Sequence, residues 1–332
     1  MILYVLRYFP TLTETFVHDE IARVSATRRV AIAAFGAREA SGREPPAPVH
    51  TQPHRWGWLR WLPALGREAL HGLASRRVLW LAALIRRERP DHVHVHFAGE
   101  AAGWALAACQ RTGVPCDVTV HAVDLFKPTA ALPAVLAGAR QVITISEYNR
   151  DLLRESYGIA AVVRRCAVEP AAPTTREPGR LLFAGRNVPK KGLDTLLAAV
   201  ADLPAGFQLD VVSDLPDPGI QGVTVHGMVA HDRVLALLGR ASVFVLPCRR
   251  APDGDMDGIP VVILEALAAG VPVITTPISG IPEVVDEAVG WLVPPDDVQA
   301  LRAAITQALS DPAEACRRGE AGRARPRTPA AG

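Results

Sequence analysis

DGDMDGIPVVILEALAAGVPVITT, Asp253 to Thr276, divides into an acidic loop, a helix and a buried strand. Pro260 stands where a first helical residue can lack its N–H, and Gly270 stands where a helix ends. Between them the pattern predicts a helix of about ten residues. Pro272 blocks its continuation, and the β-branched run Val271 to Thr275 predicts a strand. The helix N-terminus offers N–H groups and the positive end of a dipole, a setting suited to a phosphate. Asp257 precedes this helix, and Glu265 lies within it eight positions later. Eight residues of helix span roughly 12 Å, comparable to the reach from a ribose across a diphosphate to a sugar ring. Both carboxylates accept hydrogen bonds from hydroxyls without needing to titrate. Two other readings fit the same residues. Asp253, Asp255 and Asp257 followed by Gly258 imitate the start of a calcium loop, although the twelfth position is Leu264, one short of Glu265. An acidic loop that only caps a helix is the plainer alternative.

Upstream, LLFAGRNVPKKGLDTLLAAV (Leu181 to Val200) reads as strand, loop and helix. Arg186 and Lys191 flank the loop. Two cations at a strand-to-helix turn can neutralise a diphosphate leaving group, whereas two solvated surface cations are the ordinary alternative. A Walker loop is excluded, because Gly-x-x-x-x-Gly-Lys-Ser/Thr is absent.

The same rhythm runs along the whole chain. Ile2 to Leu6 predicts a strand, followed by a turn at Pro10. Thr11 and Glu14 have capping-box spacing for a helix carrying Phe16, Val17, Ile21 and Val24 at helical intervals. Further strands are predicted at Arg29–Phe35, His92–Phe97, Asp117–His121 and Val142–Ser146, with helical stretches between. Cys166 to Gly179 interrupts with Pro170, Pro173 and Pro178 among small and polar residues, the composition of a linker. Strands then resume at Arg180–Ala184, Gln208–Val212, Val223–His226 and Val243–Leu246. The fold class is therefore α/β, with two Rossmann-like doubly wound domains facing a cleft. Ligands in such sheets bind outside the carboxyl ends of the strands. The domains are expected at 1–168 and 169–315. Residues 316–332, without hydrophobic period, are expected to be a disordered tail.

Composition agrees and excludes other classes. Of 332 residues 49% are hydrophobic, enough for two cores. Lys and Arg number 36 against 34 Asp and Glu, so no basic excess points to nucleic acid. The five cysteines are scattered without a Cys-x-x-Cys pair, as in a reduced, cytoplasmic protein. Arg7 and Glu14 interrupt the opening apolar stretch, which argues against a signal peptide. The run Val78 to Ile85 falls far short of the roughly 20 residues a spanning helix needs.

In order, GR-x4-KG at Gly185–Gly192, His226–Gly227, Leu246–Pro247, the Asp257/Glu265 pair and SGIPEVV at Ser279–Val285 resemble the retaining GT-B glycosyltransferases of family 4 (group 1). FPTLTETFVHDEIARV (Phe9 to Val24) and the PC…DGDMDGIP stretch look most like its bacterial exopolysaccharide branch, the colanic-acid-type enzymes. The resemblance covers the chain to about Ala315. It implies a sugar moved from a nucleotide-sugar donor to a glycan or lipid-linked acceptor, with no metal and no other cofactor. It implies that Arg186 and Lys191 bind the donor diphosphate with the backbone at Ile259, Pro260 and Val261. Glu265 would hold the ribose, Asp257 the donor sugar, and Gly227, Met228 and Val229 would lie against the base. His121 in VTVHAVD matches the histidine that reaches the donor sugar from the first domain, with Asp124 supporting its loop. Asp257 departs from the commoner Glu by one methylene. Relatives also end in a helix crossing back onto the first domain, which RRGEAGRARPRTPAAG does not resemble. A nucleotide-sugar 2-epimerase of the same architecture and a non-catalytic sugar-nucleotide binder remain alternatives.

Three features concern the acceptor side. His92, His94 and His96 alternate on one strand face, and three imidazoles can bind zinc. Their spread along the strand favours instead His96 alone lining the cleft at the carboxyl end, with the other two packed or exposed toward the opposite end. Thr13 and Glu14 occupy the first strand-to-helix turn and are candidates for acceptor contacts. His54 to Arg89 holds four tryptophans and eight arginines against Glu68 and Glu88. This suits peripheral contact with an anionic membrane at the inner face of the cell membrane; a helix pair with buried tryptophans and solvated arginines fits equally.

Overall fold

Ile2–Leu6 is buried at all five positions, and its side chains divide strictly between two cores. Leu3 and Val5 join one cluster, and Ile2, Tyr4 and Leu6 join the other. A strand buried on both faces reads as an unbroken apolar run, which is why this one was visible in the sequence. The structure, a computed structural model, describes residues 1–11, 14–36, 43–53, 75–169 and 175–325. These fall into two compact units. The first comprises 1–145 and 149–165, and the second comprises 146–148 and the chain from Cys166 onward. The changeover thus lies a few residues before the expected boundary at 168.

In chain order the first unit is β1 (Ile2–Leu6), α1 (Thr15–Ser25), β2 (Val30–Ala34), β3 (Val49–Thr51), α2 (Arg76–Glu88), β4 (His92–His96), α3 (Glu100–Thr112), β5 (Cys116–Val120), α4 (Ala122–Phe126), α5 (Leu132–Gly138), β6 (Gln141–Thr144), α6 (Glu147–Tyr157) and β7 (Val162–Val163). Residues 146–148, which open α6, group with the second unit. The sheet order is β3-β2-β1-β4-β5-β6-β7, parallel at every pairing. The expected capping box at α1 does not form. The helix begins at Thr15 directly after Glu14, so Glu14 is itself the N-cap, without a side-chain cap bond.

The second unit holds β8 (Arg180–Ala184), α7 (Leu193–Ala201), β9 (Gln208–Val212), β10 (Val223–Val225), α8 (His231–Arg240), β11 (Val243–Leu246), α9 (Val261–Ala268), β12 (Val273–Thr275), β13 (Gly290–Leu292), α10 (Val298–Ser310) and α11 (Pro312–Ala324). Its order, β10-β9-β8-β11-β12-β13, is again fully parallel. In both sheets the chain starts at the centre, builds to one side and returns to build the other. The order therefore reverses between β1 and β4, and between β8 and β11, which opens a crevice at the carboxyl ends of those strands.

The expected disorder from Cys316 is corrected by α11, which runs to Ala324; residues 326–332 lie outside the described residues. Asp311 caps this helix by accepting from Glu314 N at 3.0 Å. Its buried face is Ala315, Gly319 and Gly322, a stripe of small residues that carries no hydrophobic signal in the sequence. The smallness is required, because a Cβ at Gly319 would stand 2.0 Å from the Gly270 carbonyl oxygen. Gly319→Ala should destabilise the second unit by about 2–3 kcal/mol, seen as a melting temperature several degrees lower. Arg317→Ala, on the exposed side of the same helix, should change it little. Equal melting temperatures for Gly319→Ala and wild type would refute this packing.

Candidate active site

The carboxyl end of β8 leads through Gly185 to the exposed Arg186 and a 3-10 turn, Pro189–Lys191. Gly192 follows at φ +64°, and a Cβ there would meet the Pro247 carbonyl oxygen at 2.0 Å. The Lys-Lys-Gly turn is thus pressed against the chain leaving β11. That contact brings Lys191 Nζ to 2.7 Å from Asp257 Oδ2. Lys190 Nζ lies 3.1 Å from Asp255 Oδ1 and 3.4 Å from Asp257 Oδ1. Burial alone would raise the Asp257 pKa, but the charges of Lys191 and then Lys190 outweigh it and hold the carboxyl below its usual range. Burial likewise works against the Lys191 ammonium, and the Asp257 charge overcomes it and raises its pKa. The Cys248 thiol, 3.8 Å from Asp257 Oδ2, is pushed up by burial and by that same carboxylate. The result is a buried, ionised cluster of both signs. It also disposes of the calcium reading, because the oxygens of Asp255 and Asp257 face ammonium groups.

α9 starts at Val261 with Pro260 as N-cap, and no side chain caps it. It is shorter than expected because a Schellman turn closes it: Val271 N donates to Ala266 O at 2.8 Å and Gly270 N to Leu267 O at 2.9 Å. Gly270, at φ +72°, supplies the left-handed residue this turn requires. Glu265 is buried within α9, with Oε1 2.7 Å from His231 Nε2. His231 opens α8 and was not singled out in the sequence, where a lone histidine two residues after Val229 gives no periodic or motif signal. Gly227 sits at φ +70°, and Met228 beside it is exposed. Arg186, Lys191, Asp257, Ile259 to Val261, Glu265 and Gly227 to Val229 therefore all belong to segments that follow β8, β10 and β11.

In the first unit, His121 follows β5 as the N-cap of α4, and its backbone N–H donates to Asp124 Oδ2 at 2.9 Å. Burial raises the Asp124 pKa to about 6 against the N–H groups of His121 and Ala98. His121 Nε2 lies 3.2 Å from His96 Nδ1. His94 Nε2 lies 2.9 Å from Thr119 Oγ1, and Tyr4 donates to Glu20 Oε1 at 3.1 Å. Burial pushes His121 well below its ordinary pKa and His94 down to about 3, so both rings are neutral. Burial would raise Glu20, but the electrostatic pull of His96 beside it, with the bond from the Tyr4 hydroxyl, holds its carboxyl far below the usual range. One expectation is corrected here. His94 does not lie apart from His96: their rings are 4.9 Å apart, and both are buried. His92 alone sits elsewhere, 3.9 Å from Asp117.

Residues 14–171 match the family model described as Glycosyltransferase Family 4, and residues 178–311 match the one described as Glycosyl transferases group 1. A glycogen synthase of Mycobacterium tuberculosis is 31% identical over 80% of this chain and 71% of its own. The chain belongs to the family 4, group 1 glycosyltransferases. WcaL of Salmonella typhimurium, named for colanic acid biosynthesis, is 43% identical over 102 residues, 30% of this chain but 23% of its own length. In fold this chain resembles HepE of Anabaena, solved in complex with UDP and glucose, with a TM-score of 0.75 at 17% identity over 97% of this chain and 93% of that one.

The remaining acceptor-side candidates fall unevenly in this chain. Thr13 lies outside the described residues. Glu14 borders a hollow with Phe9, Pro10, Thr15, His18 and Arg43. Residues 54–74, with Trp56, Trp58 and Trp61, also lie outside the described residues. The described remainder of that segment favours ordinary packing. Trp80 is buried with its ring 5.4 Å from Phe35, and Arg77 stacks on Trp104 at 4.0 Å. Among the described residues no helix is long and apolar enough to cross a membrane.

Proposed function

We propose that this chain transfers a sugar from a nucleoside diphosphate sugar to a hydroxyl of a glycan or lipid-linked acceptor, with retention at the anomeric carbon. The observation that carries the reading is the buried Lys191–Asp257 pair at the crevice of a doubly wound sheet, next to the uncapped N-terminus of α9. Lys191, Arg186 and the backbone at Ile259, Pro260 and Val261 bind the diphosphate. Glu265, oriented by His231, accepts from the ribose hydroxyls. Gly227 to Val229 lie against the base, and Asp257 accepts from a hydroxyl of the sugar. His121, held neutral, serves the donor sugar as a hydrogen-bonding group, while His96, Glu14 and Thr13 belong to the acceptor side.

In the reaction the bond from anomeric carbon to diphosphate oxygen breaks, and its electrons leave with the phosphate. The acceptor oxygen bonds to the same face of the carbon, and its proton passes to the departing phosphate. Two cations and a helix dipole take the charge that a metal takes in other transferases, so no metal is required. HepE, solved with UDP and glucose, makes UDP the first nucleoside diphosphate to test. The setting we infer is assembly of cell-surface polysaccharide, in the cytoplasm at the inner face of the membrane.

A thermal-shift panel in the presence of EDTA tests the reading. Nucleoside diphosphates should raise the melting temperature by several degrees, monophosphates less, and nucleosides not at all. A protein indifferent to every diphosphate would end this assignment. Donor incubated without acceptor should be recovered with its sugar unepimerised.

A further inference from the structure

We propose that Glu20, His94 and His96 form a binding site for one zinc-class divalent cation within the first unit. The site follows from the sheet. His94 and His96 alternate on β4, so both imidazoles leave the same face, with ring centroids 4.9 Å apart. Tyr4 of β1, paired in register with His94, flanks them. α1 covers this face and delivers Glu20, whose Oε1 lies 3.3 Å from His96 Nε2 and 3.9 Å from His94 Nε2. All three ligand atoms fall within 4.8 Å of one another. Around tetrahedral zinc, with bonds of about 2.0–2.1 Å, neighbouring ligand atoms stand about 3.3 Å apart. One edge already has that length, and small side-chain rotations close the others.

A second observation points to a ligand. His96 Nε2 is buried and lacks a hydrogen bond, although the Glu20 carboxylate is beside it. That off-axis approach suits a cation between the two better than a shared proton. Two imidazoles with one carboxylate are a donor set that zinc accepts. His92, facing Asp117 at the other end of β4, takes no part.

The outer contact gives the site a consequence. With the cation on His96 Nε2, the ring proton resides on Nδ1 and faces His121 Nε2, 3.2 Å away, which accepts it once the His121 side chain gives up its cap bond from the Asp124 N–H. The cation would thereby fix the tautomer and orientation of His121. Loading also competes with the 2.9 Å bond between His94 Nε2 and Thr119 Oγ1, which must break.

The test uses the full chain, stripped with chelator and titrated with Co²⁺ alone by visible absorption and with Zn²⁺ alone by calorimetry. One equivalent of each is expected, with the intense bands of tetrahedral Co²⁺. His94→Ala and Glu20→Gln should each weaken Zn²⁺ binding at least about tenfold. Thr119→Val, which removes the competing hydroxyl at constant shape, should tighten it. Uptake below one equivalent without tetrahedral bands, or uptake unaffected by either ligand substitution, would overturn the site. Should the ligand variants fail to fold, Thr119→Val decides: unchanged or weaker binding rejects the proposal. None of these readouts depends on sugar transfer.

Discussion

Lys191→Ala is expected to lower sugar transfer about 100- to 1,000-fold, the usual cost of deleting one preorganised charge that meets a developing oxyanion. The side chain reaches its position through a tightly specified turn. Gly192 is the residue that lets Lys191 approach the end of β11, and Gly185 leaves the Lys191 stem a gap that a Cβ would narrow to 3.4 Å. Its ammonium is kept charged by Asp257 despite burial, so no proton uptake is needed before it can meet a phosphate. Removing it leaves Lys190, 3.4 Å away, as the cation paired with Asp257 among the described residues. Affinity for the nucleoside diphosphate should therefore fall together with turnover. Lys191→Arg should not restore either, because a planar guanidinium does not fill the place of a compact ammonium. Steady-state transfer and calorimetric binding of the nucleoside diphosphate, on protein shown folded by its melting curve, measure both. Unaltered diphosphate affinity in Lys191→Ala would mean that the donor binds elsewhere.

Much of this architecture could be read from residue types, and the misses share a cause. The central strands β1, β8 and β11 are buried on both faces and therefore appear as unbroken apolar runs. The strands that went unread, β3, β7 and β13, each lie at the edge of a sheet and are two or three residues long. An edge strand needs neither length nor continuous hydrophobicity, so it leaves little periodic trace. α11 was missed for a related reason, since it packs through glycines instead of leucines. Motif spacing singled out Arg186, Lys191, Asp257 and Glu265 as candidates by their own chemistry, and the structure sets Lys191 beside Asp257. That spacing did not find Lys190, His231 or Glu20, which matter through their partners. Those partners come from other elements, 65, 34 and 76 positions along the chain for Asp255, Glu265 and His96. Pairings of that kind are made by the fold and are not encoded in local order.

Lys190 is the residue that makes the second large effect predictable. In the cluster one carboxylate, Asp257, faces two ammonium groups, and among the described residues Asp255 pairs with Lys190. If the donor binds as proposed, its diphosphate competes with Asp257 for Lys191, and Lys190 keeps the carboxylate paired while that happens. Asp257→Asn keeps the shape and removes the charge. Two buried cations then lose a counterion, and a loss of about 3–5 kcal/mol in stability is expected. The pH dependence follows from the sign of the shift. Asp257 has a folded pKa held below its ordinary value, so its stabilisation is present above about pH 4. It fades as pH falls through the lower folded value, and wild type and variant should converge in acid. Nucleoside diphosphate should raise the melting temperature of Asp257→Asn by more than that of wild type, because the ligand supplies the missing negative charge. Transfer should nevertheless fall at least about 100-fold, because a neutral amide holds the sugar hydroxyl less well in the transition state. Lys191→Ala thus loses binding and turnover together, whereas Asp257→Asn loses turnover and keeps binding. If Asp257→Asn instead weakened diphosphate binding as much as Lys191→Ala does, the carboxylate would be part of the phosphate site, and its assignment to the sugar would be wrong.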